Sequence, residues 1–214
     1  SPNLKIEFQG GEPTLEFDTM VFIVEYLNAL NLRYKKCIEF VVCTNLLVLS
    51  EQQLQFYKKY NFDISTSLDG PQDVHDRNRT PLHTQSNYER MVQNYQRICT
   101  KYSRDKVSAL LTVSKYSLSR LKDCVDTYVA LGFRSIFIRA LNPYGLAEKA
   151  LDDLGYSRDD FLVAYEEVLD YILSLNNQGV FIREELASIF LQKMLTPFSS
   201  GFVDIQSPPG VGIS

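Results

Sequence analysis

Apolar segments in this chain alternate between two periods, and they do so five times in the same order. Residues 4–8, 37–43, 62–68, 107–113 and 134–139 are short β-type runs, each followed by a stretch with helical spacing. Residues 19–32 place Met20, Phe22, Ile23, Tyr26, Leu27 and Leu30 at helical intervals, and Ser50 begins a second helix that runs to about residue 60. Residues 87–102 form a third helix, and 117–131 a fourth with Ser117 as its cap. Ser157 opens another, whose inner face is Phe161, Tyr165, Val168, Leu169 and Ile172. Strands that alternate with helices pair in parallel, joined by crossovers. The 37–43 run, Cys-Ile-Glu-Phe-Val-Val-Cys, has the β-branched character of a strand covered on both faces. The expected fold class is therefore α/β, a partial (β/α) TIM-type barrel with parallel strands, since five strands do not close a barrel that needs eight strands and about 250 residues.

Length and charge narrow the partners. With 214 residues, 45% of them hydrophobic, the chain can bury the core of one α/β domain. A net charge of −4 with scattered Lys and Arg offers no basic field for a nucleic-acid backbone. No apolar run reaches the roughly 20 residues of a membrane span, and no charged-then-apolar leader opens the sequence. The expectation is a cytoplasmic protein that engages neither nucleic acid nor membrane. Cys37, Cys43, Cys99 and Cys124 are widely spaced and mostly within apolar or helical runs, which reads them as small buried hydrophobes, not disulfide partners or metal ligands.

The turn after the first strand carries the chemistry. In Gln9-Gly10-Gly11-Glu12-Pro13, adjacent glycines let the backbone approach a ligand, Glu12 offers a carboxylate at the mouth of the turn, and Pro13 sets the exit into the helix. The same residues also suit an ordinary Gly-Gly turn with a solvated Glu. In barrels, ligands gather at the carboxyl ends of strands, and here every such end is polar: Thr44-Asn45, Ser67-Leu68-Asp69-Gly70, Thr112-Val113-Ser114 and Arg139-Ala140-Leu141-Asn142. One site spread over these exits would place Glu12, Ser67 and the Leu141 backbone on a single cleft. Asp69, ahead of Gly70-Pro71, suits a role organising its own loop. Arg139 is open to two readings, a ligand carboxylate or an ion pair with Glu39 or Asp63. Residues 71–87 read as one long polar loop, with His75 and His83 as solvated or capping residues.

The Gly10-Gly11-Glu12-Pro13 segment resembles the GGEP motif of the radical S-adenosylmethionine (radical SAM) enzymes. Thr44-Asn45 falls where that family often has Thr-Asn-Gly, and Ser67-Leu68-Asp69-Gly70-Pro71 with His75-Asp76-Arg77-Asn78-Arg79 is similar to a segment of anaerobic sulfatase-maturating enzymes and related SPASM-type peptide maturases. Residues 63–71, 107–112 and 131–145 look most like the maturase of the His-Xaa-Ser peptide-modification system. The resemblance implies a peptide or protein substrate and S-adenosylmethionine as cofactor. It implies Gly10, Gly11 and Glu12 at the methionine amino group with Gln9 and Pro13 beside them, Thr44 and Asn45 nearby, and Ser67 at the ribose or carboxylate. Leu141 would lie against the adenine, with Asp69 and Arg139 as further members.

The departure from the family is equally specific. Its [4Fe–4S] cluster rests on a CxxxCxxC loop, and no such spacing occurs here. In the family that loop precedes the strand at which this chain begins. The sequence therefore reads as a fragment, with residues 1–195 the partial barrel core and 196–214 the start of a C-terminal SPASM-like region, and with metal ligands none. Such a fragment would not cleave S-adenosylmethionine reductively. It would expose the edge of its first strand and apolar positions near Phe198 and Phe202, and so self-associate. Two other functions fit the residues less fully: a glycosidase-like pair of Glu12 and Asp69 on a barrel, without the sugar-stacking tryptophans, and a non-catalytic (β/α) binding or scaffold domain.

Overall fold

The computed structural model describes residues 2–80, 86–142 and 151–197. At its centre are six parallel strands in the order of the chain: β1 (Asn3–Phe8), β2 (Cys37–Cys43), β3 (Asp63–Ser67), β4 (Val107–Thr112), β5 (Ser135–Arg139) and β6 (Arg183–Glu184). Between them run α1 (Phe17–Tyr34), α2 (Glu51–Lys59), α3 (Gln72–Asn78), α4 (Asn87–Lys101), α5 (Lys115–Leu118), α6 (Leu121–Leu131), α7 (Leu151–Leu154) and α8 (Arg158–Asn177), and α9 (Glu185–Leu195) follows the last strand. Sequential strands that pair only in parallel form the sheet of an open (β/α) barrel, the α/β class read from the sequence.

Register decides which side chains share a face. Ile6 aligns with Phe40, Phe8 with Val42, Val42 with Ile64, and Leu111 with Ile138. These residues form the core with Val24, Tyr57, Tyr95, Tyr128 and Val168 from the helices. Full burial of a side chain such as Leu111 or Ile138 contributes about 2 kcal/mol. The opposite face carries Lys5, Glu7, Glu39, Cys43, Ser65, Ser67, Ser108, Thr112 and Arg139, and most of it is half-buried or exposed. Its charges are partly paired: Lys5 with Glu39 at 3.3 Å and Lys106 with Asp63 at 3.0 Å.

Local chemistry sets the helix starts. Ser50 caps α2 in a capping box with Gln53, and Ser86 and Ser157 cap α4 and α8 by accepting the Glu89 and Asp160 N–H groups. The fourth predicted helix is two helices, α5 and α6, and its cap is Ser114, with Ser117 as the reciprocal member of the capping box.

Strand β2 is buried on both faces from Phe40 to Val42, as its β-branched run predicts, and only the start of its polar face, at Cys37 and Glu39, meets solvent. Several other expectations are corrected. A sixth strand, β6, is present, only two residues long and anchored by buried Glu184, which accepts the Ile138 N–H at 3.0 Å and the Tyr165 hydroxyl at 2.6 Å. The segment 71–87 contains α3, and His75 is buried in it. Of the cysteines only Cys124 is buried; Cys37 is exposed, and Cys43 and Cys99 are half-buried. His83, Phe198, Phe202 and residues 143–145 lie outside the described residues.

Candidate functional site

The loop after β1 is held from three sides. Gly10 has φ 150°, a conformation that favours glycine, and a Cβ placed at Gly10 or Gly11 would meet no atom within 4 Å, so the backbone borders open space. Pro13 then starts a short 3₁₀ turn, Pro13–Glu16, for which Glu12 is the N-cap. One Glu12 carboxylate oxygen accepts the hydroxyls of Thr14 and Thr44, each at 2.7 Å, and the Thr14 N–H at 3.3 Å; the other accepts the Asn45 N–H at 2.8 Å. Gln53 of α2 donates to the Thr14 carbonyl at 3.3 Å, which ties the turn to the second βα unit. Below it, burial raises the pKa of the Tyr57 hydroxyl, and the Glu12 charge adds to the effect.

The loop after β2 is fixed in turn by α4: Asn94 donates to the Leu46 carbonyl at 2.8 Å and Arg97 to the Leu49 carbonyl at 2.7 Å. Between these elements opens a cleft of about 390 Å³ lined by Glu12, Asn45, Ser67, Arg79 and Arg90, with Leu15, Leu47 and Val48 as its apolar part. Arg79 is committed to Asp69. Arg90 has no ion-pair partner among the described residues.

Of the residues named from sequence, Glu12, Asn45 and Ser67 line this cleft, Thr44 orients Glu12 from a buried position, and Gln9, Gly10 and Gly11 are exposed at its loop. Leu141 does not line it: it follows β5, two strands beyond Ser67, and its N–H donates to the Tyr156 hydroxyl at 2.7 Å. Arg139 pairs with neither Glu39 nor Asp63, since both are taken by lysines, and its side chain lies on the polar face. Asp69 is buried directly behind the cleft lining, bonded to two of its residues, Arg79 and His75. It accepts Arg79 Nε at 2.8 Å and the Thr112 N–H at 3.2 Å, so it joins the exits of β3 and β4. Its own N–H donates to His75 Nδ1 at 3.2 Å, and burial lowers the His75 pKa to about 4.

Arg79 and Arg90 were not assigned to the site from sequence. Arg90 comes from α4, where Asn87, Arg90, Asn94 and Arg97 follow one another at helical spacing; that polar stripe on an otherwise amphipathic helix was the available signal.

No family model matches the sequence. An uncharacterized protein of Methanothermobacter thermautotrophicus is 30% identical over 204 residues, a match covering 89% of this chain and 73% of that protein. The chain belongs to that protein's family. A cysteine-type anaerobic sulfatase-maturating enzyme of Clostridium novyi is 26% identical over 146 residues, 66% of this chain and 37% of the enzyme. Among solved structures, native anSMEcpe with bound AdoMet and Kp18Cys peptide superimposes with a TM-score of 0.82 at 19% identity, covering 94% of this chain. The chain spans 55% of that structure's length. In sequence it is similar to that sulfatase-maturating enzyme over two thirds of its own length, and it shares the fold of the matched part of anSMEcpe.

Proposed function

We propose that this chain is the cofactor-binding part of a radical SAM enzyme that modifies a peptide or protein. One observation carries the reading: a carboxylate pre-oriented by Thr14, Thr44 and the Asn45 N–H shares a cleft with a guanidinium that has no ion-pair partner among the described residues. An anion and a free cation in one cleft suit an α-amino-acid group, the ammonium against Glu12 and the carboxylate against Arg90. S-adenosylmethionine ends in such a group. Ser67 adds a hydroxyl, and Leu15, Leu47 and Val48 give the apolar body of the cofactor a surface.

The described residues do not fit the family's iron–sulfur cluster. Among them no group of His, Cys, Asp or Glu gathers as a metal site. Cys37 and Cys43 are the first and last residues of β2, about 20 Å apart, while Cys99 and Cys124 sit on α4 and α6. We place the cluster thiolates outside this chain, with residues 1–195 the partial barrel and 196–214 the start of a further region. Beside such a cluster S-adenosylmethionine supplies a 5′-deoxyadenosyl group for radical chemistry. The residues of this chain hold its methionine end and leave the polar face, from Ser67 towards Thr112 and Arg139, for the peptide. By itself the chain binds the cofactor without cleaving it.

Calorimetric titration with S-adenosylmethionine tests this. One-to-one binding with a Kd below about 1 mM, weakened at least tenfold by Glu12→Gln, is expected. Absent binding, or binding indifferent to that substitution, overturns it.

A further inference from the structure

One wall of the cleft is built by α3 and α4, and it includes a histidine whose chemistry the cofactor reading leaves unused. The Asn87 amide donates to the Arg79 carbonyl at 2.9 Å and Asp76 accepts the Tyr88 N–H at 2.9 Å, so the end of α3 is fastened to the first turn of α4. His75 stands in this wall, its ring against that of Tyr88 with 5.9 Å between centroids, on the side of the cleft that carries Arg90. The residue is 2% exposed. Its Nδ1 accepts the Asp69 N–H at 3.2 Å, so that nitrogen holds a lone pair and the proton of the neutral ring sits on Nε2. Burial keeps the ring neutral against the pull of the Asp69 charge. Nε2 has no hydrogen-bond partner among the described residues, yet it is not one of the polar atoms sealed in the interior without a partner, which are the Tyr57 hydroxyl, Thr66 Oγ1 and Asn142 Oδ1. Its N–H therefore opens into the cleft.

We propose that His75 is a further cofactor-binding residue, whose Nε2–H donates to the same ligand carboxylate that pairs with Arg90. The inference rests on the reading of the cleft as a site for S-adenosylmethionine. A carboxylate withdrawn from water needs donors for both of its oxygens. Arg90 serves one, and a neutral N–H from the neighbouring turn serves the other without a second unpaired cation to desolvate. The Asp69 bond decides which ring nitrogen carries the proton, so the donor is in place before the ligand arrives. The same bond connects the ligand to the joint that Asp69 makes between the exits of β3 and β4.

Long-range ¹H–¹⁵N spectra of the 214-residue chain labelled with ¹⁵N-histidine read both ring nitrogens, and of its two histidines the one whose signals vanish in His75→Asn is His75. In the free chain at neutral pH, Nε2 should carry the proton and Nδ1 a lone pair. Saturation with S-adenosylmethionine should shift Nε2 and leave Nδ1 in place, whereas decarboxylated S-adenosylmethionine should shift Nε2 far less. Affinity and stability should also rank two variants in opposite orders. The side-chain oxygen of His75→Asn takes over the Asp69 N–H without reaching the cleft, so this variant is the more stable of the two and binds about tenfold more weakly than the parent. His75→Gln extends an amide N–H to the place of Nε2 and gives up the Asp69 bond, so it is less stable yet binds within about threefold of the parent. A proton on Nδ1, an Nε2 signal unmoved at saturation, an equal shift with the decarboxylated ligand, or affinities that follow the stabilities would each overturn the inference, and binding that still depends on Glu12 would leave the cofactor reading standing. A parent chain that binds no S-adenosylmethionine overturns both.

Discussion

The Glu12 carboxylate accepts the Thr44 hydroxyl at 2.7 Å, a bond that ties the Gly-Gly loop after β1 to the exit of β2 where the cleft begins. Thr44 is buried, and its hydroxyl also accepts the Leu46 N–H at 3.2 Å, so one side chain orients the carboxylate and the following loop together. Thr44→Val should cost roughly 1–2 kcal/mol in urea denaturation with an unchanged m value, and should weaken S-adenosylmethionine binding several-fold although Glu12 is intact. Unchanged stability would mean that the bond does not persist in solution.

Arg90 separates recognition of the carboxylate from general electrostatics. Arg90→Gln should reduce affinity for S-adenosylmethionine by about tenfold and leave affinity for decarboxylated S-adenosylmethionine unaltered, since the latter offers that guanidinium nothing. An equal loss for both ligands would move Arg90 out of the carboxylate role.

His75 makes stability depend on pH. Its folded pKa, lowered by burial to about 4, lies below the ordinary 6.5, so between these values the unfolded chain binds a proton that the folded chain does not. The stabilisation is complete above about pH 6.5 and is lost as pH falls towards 4, on the order of 3 kcal/mol in all. His75→Asn should flatten that part of the stability profile in denaturant titrations at a series of pH values. A variant with the same acid sensitivity as the parent would assign it to other groups.

Much of this was readable because parallel strands under helices are written as short β-type runs between helical periods. All five runs from residues 4–8 to 134–139 are strands, with ends shifted by one residue at most. The polar strand exits put Glu12, Thr44, Asn45 and Ser67 in view. Helix α3 was hidden because Val74 is its one apolar residue, and β6 because two residues carry no period. Arg90 was hidden for a different reason: tertiary packing of α4 brings it to the β1–β3 exits, and sequence spacing does not encode that approach.

Asp69 is a joint of the fold, buried behind the cleft and bonded to Arg79 and His75 of its lining. Its side chain is 2% exposed and its partner Arg79 32%, so Asp69→Asn leaves a largely desolvated guanidinium without its counter-charge and turns an amide group towards donors. A loss of about 3 kcal/mol is expected in urea denaturation. A loss below about 1 kcal/mol would show that solvent already screens the pair.

The most direct test of the account is to map where S-adenosylmethionine binds, by following backbone amide signals of the ¹⁵N-labelled chain during a titration. The account predicts saturable shifts at Gly10, Gly11, Thr14, Asn45 and the amides around Ser67, with the Arg90 side chain responding and α8 silent. Shifts centred on α6 and α8, or none at saturating cofactor, would contradict it.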